Sequence, residues 1–288
     1  GTATIFGSTS ATVINSGTIS VIGSTGNAIG GGSAMVNNSG TITAIGDFAT
    51  AVAGGTALIT NSGTISASGL LSSAVGGLTV TVNNSGTIST SGPGGAAVTG
   101  NVSLTLTNSG TISANSAGAF AVTAGIGAVT NSGIISAAGT GGVGIAASTA
   151  VVTNSGTISV NGSNGIGIFA SDTAQVTNSG IISANAADGR AVVIMHQGTV
   201  TNSGTIIGGG GTAVGFHAIG GSGGDTLNVL PGAKFGGLID FDVSGGVGGA
   251  DTVNFGPGSW IINTANFNAA LSTVTTPGNP YVVTPNQI

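Results

Sequence analysis

Few residues in this chain could carry acid–base chemistry. Asp172 and His196 are two of them, and Asp188 and Arg190 precede the histidine closely. A carboxylate beside an imidazole can pass a proton, and a guanidinium can hold an anion next to both. An enzyme site also needs paired acids or a polarised nucleophile set in a cleft, and the sequence around these four offers neither. The group is read as a surface patch, and no catalytic residue is expected. His217, next to Phe216, reads as a turn residue. The many serines have no strand–elbow–helix context that would make one a nucleophile.

Metal chemistry has one candidate. Gly220-Gly221-Ser222-Gly223-Gly224-Asp225-Thr226-Leu227-Asn228 follows the RTX-type nonapeptide calcium pattern position for position. Calcium in such rolls is shared between consecutive repeats. The copy before Asp251 is degraded, with Val247 where glycine is required. A single copy offers too few oxygen ligands, so Asp225 is expected in a structural turn, with no cofactor and no metal. The absence of cysteine removes disulfides and thiolate metal sites, and it suits a protein made for export.

These residues sit on a repeat. Asn-Ser-Gly triplets begin at Asn15, Asn38, Asn61, Asn84, Asn108, Asn131, Asn154, Asn178 and Asn202, evenly spaced along the chain. Four residues after each comes an invariant isoleucine: Ile19, Ile42, Ile65, Ile88, Ile112, Ile135, Ile158, Ile182 and Ile206. A second apolar column, fourteen residues on, runs from Ile29 through Val52, Val75, Val98, Val122, Ile145, Ile168 and Val192 to Phe216. A third, two residues before each Asn, runs from Val13 through Leu106 to Val200. Asp172 and His196 hold the same place after Asn154 and Asn178, so stacking would put them on neighbouring coils.

A fixed period of about 23 residues marks a solenoid, in which each unit buries its apolar face only against the next. The columns are β-branched and alternate with Thr, Ser and small residues, the period-two pattern of strands with one buried face. Three strands of four or five residues and three turns fill a coil. The expected fold is all-β: a right-handed single-stranded parallel β-helix, of about nine regular coils plus irregular C-terminal ones. At ~4.8 Å per coil, nine coils make a rod of about 43 Å. In-register stacking would place each Asn over the last, as a hydrogen-bonded amide ladder. The Asn is expected to tolerate a left-handed turn, and the glycine two residues on to supply positive φ.

The regular repeats are assigned to residues 1–219, irregular coils and a cap to 220–276, and a linker to 277–288. Residues 1–14 read as the back half of a coil, with Ile5 in the second column. Asp225-Thr-Leu-Asn is echoed further on by Asp251-Thr-Val-Asn, at a wider spacing than that of the regular repeats. Trp260, Phe235, Phe241, Phe255 and Phe267 gather there, and Thr264 to Val274 is expected to form a short helix. Charged residues are 3% of the chain and the net charge is −5, which excludes a nucleic-acid partner. No apolar run is long enough for a transmembrane segment.

With its Asn-Ser-Gly-Thr-Ile repeats and the Asp-Thr-Leu/Val-Asn segment ahead of a proline-containing tail, the chain resembles the passenger region of Gram-negative autotransporter proteins. That resemblance implies an extracellular or cell-surface location and a C-terminal outer-membrane barrel in the full-length protein. Beside the Ile column run two hydroxyl ranks, Thr18 to Thr205 and Ser20 to Ser183, interrupted by Ile134 and Ile181. They are similar to the Thr-x-Thr ranks of ice-binding solenoids, though they are read as an ordinary solvated strand face. The expected role is a structural and adhesive surface module, with other copies of itself or matrix components as partners. The alternatives are a filament protomer stacked head to tail, a polysaccharide-cleaving enzyme and an ice-binding rod.

Overall fold

Alternation of buried and exposed side chains makes every repeat strand-forming, and stacking the repeats in register closes them into one sheet. The computed structural model describes residues 3–217, 224–241, 250–268 and 270–276. Among these residues there are 25 strands in a single hydrogen-bonded sheet and no helix. Every pairing is parallel and joins equivalent residues of successive coils, such as Ile42 to Ile65 to Ile88. The fold is thus the expected parallel β-solenoid, of about 11 turns.

Each coil has a short strand after its Asn-Ser-Gly turn, for example Thr111–Ala114, and then a long one, for example Phe120–Asn131. The second and third strands expected per coil have therefore run together in most coils. Pairing continues round the corner between them with a local slip, as between Gly77 and Thr79. They separate in two coils, where Ser171 and Asp172 divide Ile166–Ala170 from Thr173–Asn178 and where Met195 and His196 divide Arg190–Ile194 from Gln197–Asn202. Small residues at the corner let the chain bend without giving up its ladder bonds.

The Ile column is buried from Ile42 to Ile206, and Ile19, in the first turn, is half-buried. The third column is dry throughout and continues through Leu227 and Val253. Each such side chain contributes ~1.5–3 kcal/mol of burial, against ordering entropy of similar size per coil.

The second column departs from its expected register at the end. Val192 pairs with Val214, whereas Phe216 pairs with Ile194. The cause is the continuous strand Thr205–Phe216, whose Gly208-Gly209-Gly210-Gly211 run replaces the usual turn and shifts the residues that follow. Phe216 instead starts an aromatic stack, with ring centroids 5.4 Å from Phe241, which lies 5.1 Å from Phe267.

A volume exchange across the corner keeps the core filled. One column reads Gly54, Gly77, Gly100, Ala124, Ala147, Ala170, Ile194, Phe216 along the rod. The column facing it reads Ala57, Val80, Leu104, Gly127, Ala150, Ala174, Gly198. Where one side chain is large, its neighbour is small. A methyl on Gly198 would sit 2.5 Å from Ile194 Cδ1 and 3.1 Å from Phe216 Cε1. Close packing at interior density requires this trade.

Two local expectations are corrected. The described residues of 264–274 form no helix: Thr264–Ala265 is a strand, and Thr273–Thr275 pairs with Thr252, Val253 and Asn254. The β-branched residues there extend the third column, and Asn266 at φ 55° stops any helical run. Neither the ladder asparagines nor the glycines of their triplets have positive φ. Those glycines serve close approach instead. A Cβ on Gly133 would collide with the Gly110 carbonyl oxygen of the coil before, and the same holds from Gly40 to Gly204. Left-handed backbone occurs at the next turn, where Thr25, Phe48, Leu71, Gly94, Gly118, Gly141 and Asn164 have φ between 52° and 69°.

Candidate functional site

The most regular polar feature is internal. Each ladder asparagine donates from Nδ2 to Oδ1 of the next, at 2.8 Å in all eight steps from Asn15 to Asn202. The same amide also reaches two backbone carbonyls: Asn108 donates to Gly110 O at 3.2 Å and to Ile134 O at 3.1 Å. At the first rung Asn15 Oδ1 accepts from Gly17 N–H, and at the last Asn202 Oδ1 accepts from Gly204 N–H. Beyond Asn202 the column becomes Val229 and then Phe255. A new and shallower ladder begins beside it, where Asn254 donates to Asn228 Oδ1 at 2.8 Å and Asn228 to Thr201 Oγ1 at 2.9 Å. These amides are committed to one another, so their work is to fix register.

Asp225 lies at the same corner as Gly198 and is fully buried. Its Oδ1 accepts the Gly198 N–H at 2.7 Å, and its own N–H donates to Asp251 Oδ1 at 3.2 Å. Oδ2 of Asp225 has no hydrogen-bond partner among the described residues. Burial pushes its carboxyl up to about 7; the Gly198 amide holds it down, and the nearby Asp251 charge adds to the rise. Of the calcium pattern, Gly220 to Gly223 and Val247 lie outside the described residues. The described part brings two carboxylates together, well short of the roughly six to eight oxygens calcium takes. No group of three or more metal-ligating side chains occurs among the described residues.

Asp172 and His196 do come together on neighbouring coils, at 3.8 Å between Oδ1 and Nδ1, with both side chains well exposed. His196 Nδ1 is also 3.3 Å from Ser171 O. Asp188 and Arg190 belong to a different corner. The strand Arg190–Ile194 runs between that corner and His196, and at ~3.3 Å per residue it separates the two by about 20 Å. The four residues therefore form no common site. His217 continues the corner past its strand, donating its backbone N–H to Ile194 O at 2.7 Å.

The outer faces carry the remaining polar groups. The Thr18-to-Thr205 rank is mostly half-buried, and Thr43 donates to Ser20 Oγ at 3.0 Å. A second rank, which the repeat did not draw attention to, stands more openly on the long strand. It aligns Asn37, Thr60, Asn83, Thr107, Thr130, Thr153 and Thr177 in register. Its signal is the Thr or Asn immediately before each ladder asparagine from Asn38 to Asn178. No helix among the described residues is long and apolar enough to cross a membrane. Compared with known protein families, curated proteins and solved structures, the chain has no match.

Proposed function

We propose that the chain is an extracellular structural and adhesive module, a rigid passenger-type rod that makes cell-surface or cell–cell contacts through its outer strand faces. The observation that carries this reading is the exposed, in-register Thr/Asn rank from Asn37 to Thr177, which bears no charge. Such a rank offers one donor-acceptor group every ~4.8 Å along a straight line. Contacts of this kind are weak singly and add through avidity when two rods lie side by side. The interior supports rigidity, since ladder and core hold each coil to the next. The resemblance of the repeats to autotransporter passengers supports export and a following outer-membrane barrel. Catalysis has no part in this reading.

The test is adhesion under a change of face charge. Beads coated with the protein should aggregate with one another or settle on parent cells. Thr107→Glu, Thr130→Glu and Thr153→Glu combined should suppress this severalfold, with the circular dichroism spectrum unchanged. Undiminished adhesion by the triple variant would refute the proposal.

A further inference from the structure

The outward face of the second apolar column is hollow over the first coils. Its side chains run Asn27, Thr50, Ser73 along one line and Gly30, Ala53, Gly76, Thr99 along the next. The small residues of the second line leave a trough of about 630 Å³ parallel to the rod axis. Phe6 stands at one end, with its ring over Gly30 and 69% of its surface exposed, and Leu78 flanks the floor. Past the last coil of the trough the same lines carry Phe120 and later Phe169, so the hollow is confined to this segment.

Two observations define what the trough can hold. The polar side chains that line it are Asn27, Thr50, Ser73, Thr99 and Asn101, and none of them hydrogen-bonds another described residue. This contrasts with the ladder asparagines, whose amides are fully engaged. None of the lining residues is charged, so the trough has no charged group with which to attract either an anion or a cation. The backbone of the floor is already bonded coil to coil, so an added peptide strand would find no free edge.

We propose that this trough binds an extended, uncharged glycan. Phe6 stacks on the apolar face of one sugar, and the free amides and hydroxyls bond the hydroxyls of that unit and the next ones. The volume suits a short oligomer, and the ~4.8 Å coil spacing is close to the length of a pyranose ring. A shallow, open site of this kind gives near-millimolar affinity for one chain, raised by multivalent display. The inference extends the adhesive reading by naming a ligand class, and it rests on different residues from the Thr/Asn rank.

Isothermal titration calorimetry tests it with neutral hexaoses of glucose, mannose, galactose and N-acetylglucosamine, and with a galacturonate hexaose. At least one neutral hexaose should bind, and the uronate should bind more weakly than it. Phe6→Ala should weaken binding about fivefold, the size of a lost stacking contact. Gly76→Val should abolish it, because a Cβ there meets only Thr50 Cγ2 at 3.6 Å and Ser73 Cβ at 3.9 Å. The added methyls then fill the trough and leave the core alone. An Asn27→Ala and Asn101→Ala double variant, which leaves the floor untouched, should weaken binding about tenfold. Absence of binding by every neutral hexaose, equal binding of the uronate, or full binding by Gly76→Val or by the double asparagine variant overturns the proposal. The triple Thr→Glu variant should bind the hexaose unchanged, so a failure here stays distinct from a failure of rod adhesion.

Discussion

Replacing one asparagine in the middle of the ladder gives the sharpest test of how the rod is held together. In Asn108→Ala the amide that donates to Asn131 and receives from Asn84, both at 2.8 Å, is gone. Asn84 keeps Gly86 O and Thr111 O as acceptors, so its loss is small. Asn131 Oδ1 is left as a buried acceptor with no donor. Such an orphan costs about 1–3 kcal/mol, and the four lost bonds, with Asn84, Asn131, Gly110 O and Ile134 O, about 1 kcal/mol each, so a total of about 5–7 kcal/mol is expected. Asn202→Ala orphans no acceptor above it, because Val229 follows in the column. Asn178 would still reach Gly180 O and Thr205 O, and only the four bonds with Asn178, Gly204 O, Gly204 N–H and Lys234 O are lost, so about 4 kcal/mol is expected there, below Asn108→Ala by the cost of the orphan. Urea unfolding followed by circular dichroism measures both, with the slope checked for a change in cooperativity. Equal costs for the two variants, or a cost below about 1 kcal/mol for Asn108→Ala, would refute the ladder argument.

Other parts of the rod give three further tests. Asp225 has a folded pKa raised to about 7, so its contribution is fully present below the unfolded value near 3.8 and is lost as pH rises through 7. Trp260 fluorescence in urea should therefore report tighter C-terminal turns at pH 4 than at pH 8, and Asp225→Asn should flatten that difference. Gly198→Ala forces a methyl against Ile194 and Phe216 and should cost about 1–3 kcal/mol by thermal melting. Adding Ile194→Ala, which recreates the Ala170/Ala174 pairing of the previous coil, should make the double variant more stable than the two single costs predict. Leu71 holds φ 52° on an exposed turn, so Leu71→Asn should raise stability by about 0.5–1 kcal/mol in the same melts.

The parts of this structure that were legible in the sequence are those that recur at fixed spacing. The Ile column and the asparagines share one period, and that period alone requires coils that stack in register. What repetition does not encode was harder to read. Phe216 falls fourteen residues after Asn202, yet the Gly208–Gly211 run consumes its turn and moves it one column over. The glycine after Asn-Ser looks like a turn residue, whereas its real constraint is a carbonyl oxygen of the preceding coil. The Thr264 to Val274 segment reads as a helix in isolation because local sequence does not show the partner strand that decides its conformation. The trough was hidden for a related reason. Gly30, Ala53 and Gly76 are ordinary small residues singly, and only their alignment makes a hollow.

The uniform rungs make length an adjustable quantity in this architecture. A unit excised between two of them would rejoin like to like, shortening the molecule by one ~4.8 Å quantum without orphaning an amide. The Gly/Ala/Ile/Phe gradient at the corner sets the limit on such editing. Bringing Leu104 beside the Ile194 coil would crowd two large side chains into space built for one. Growth and loss of repeats are thus free along the polar spine and policed by the apolar corner.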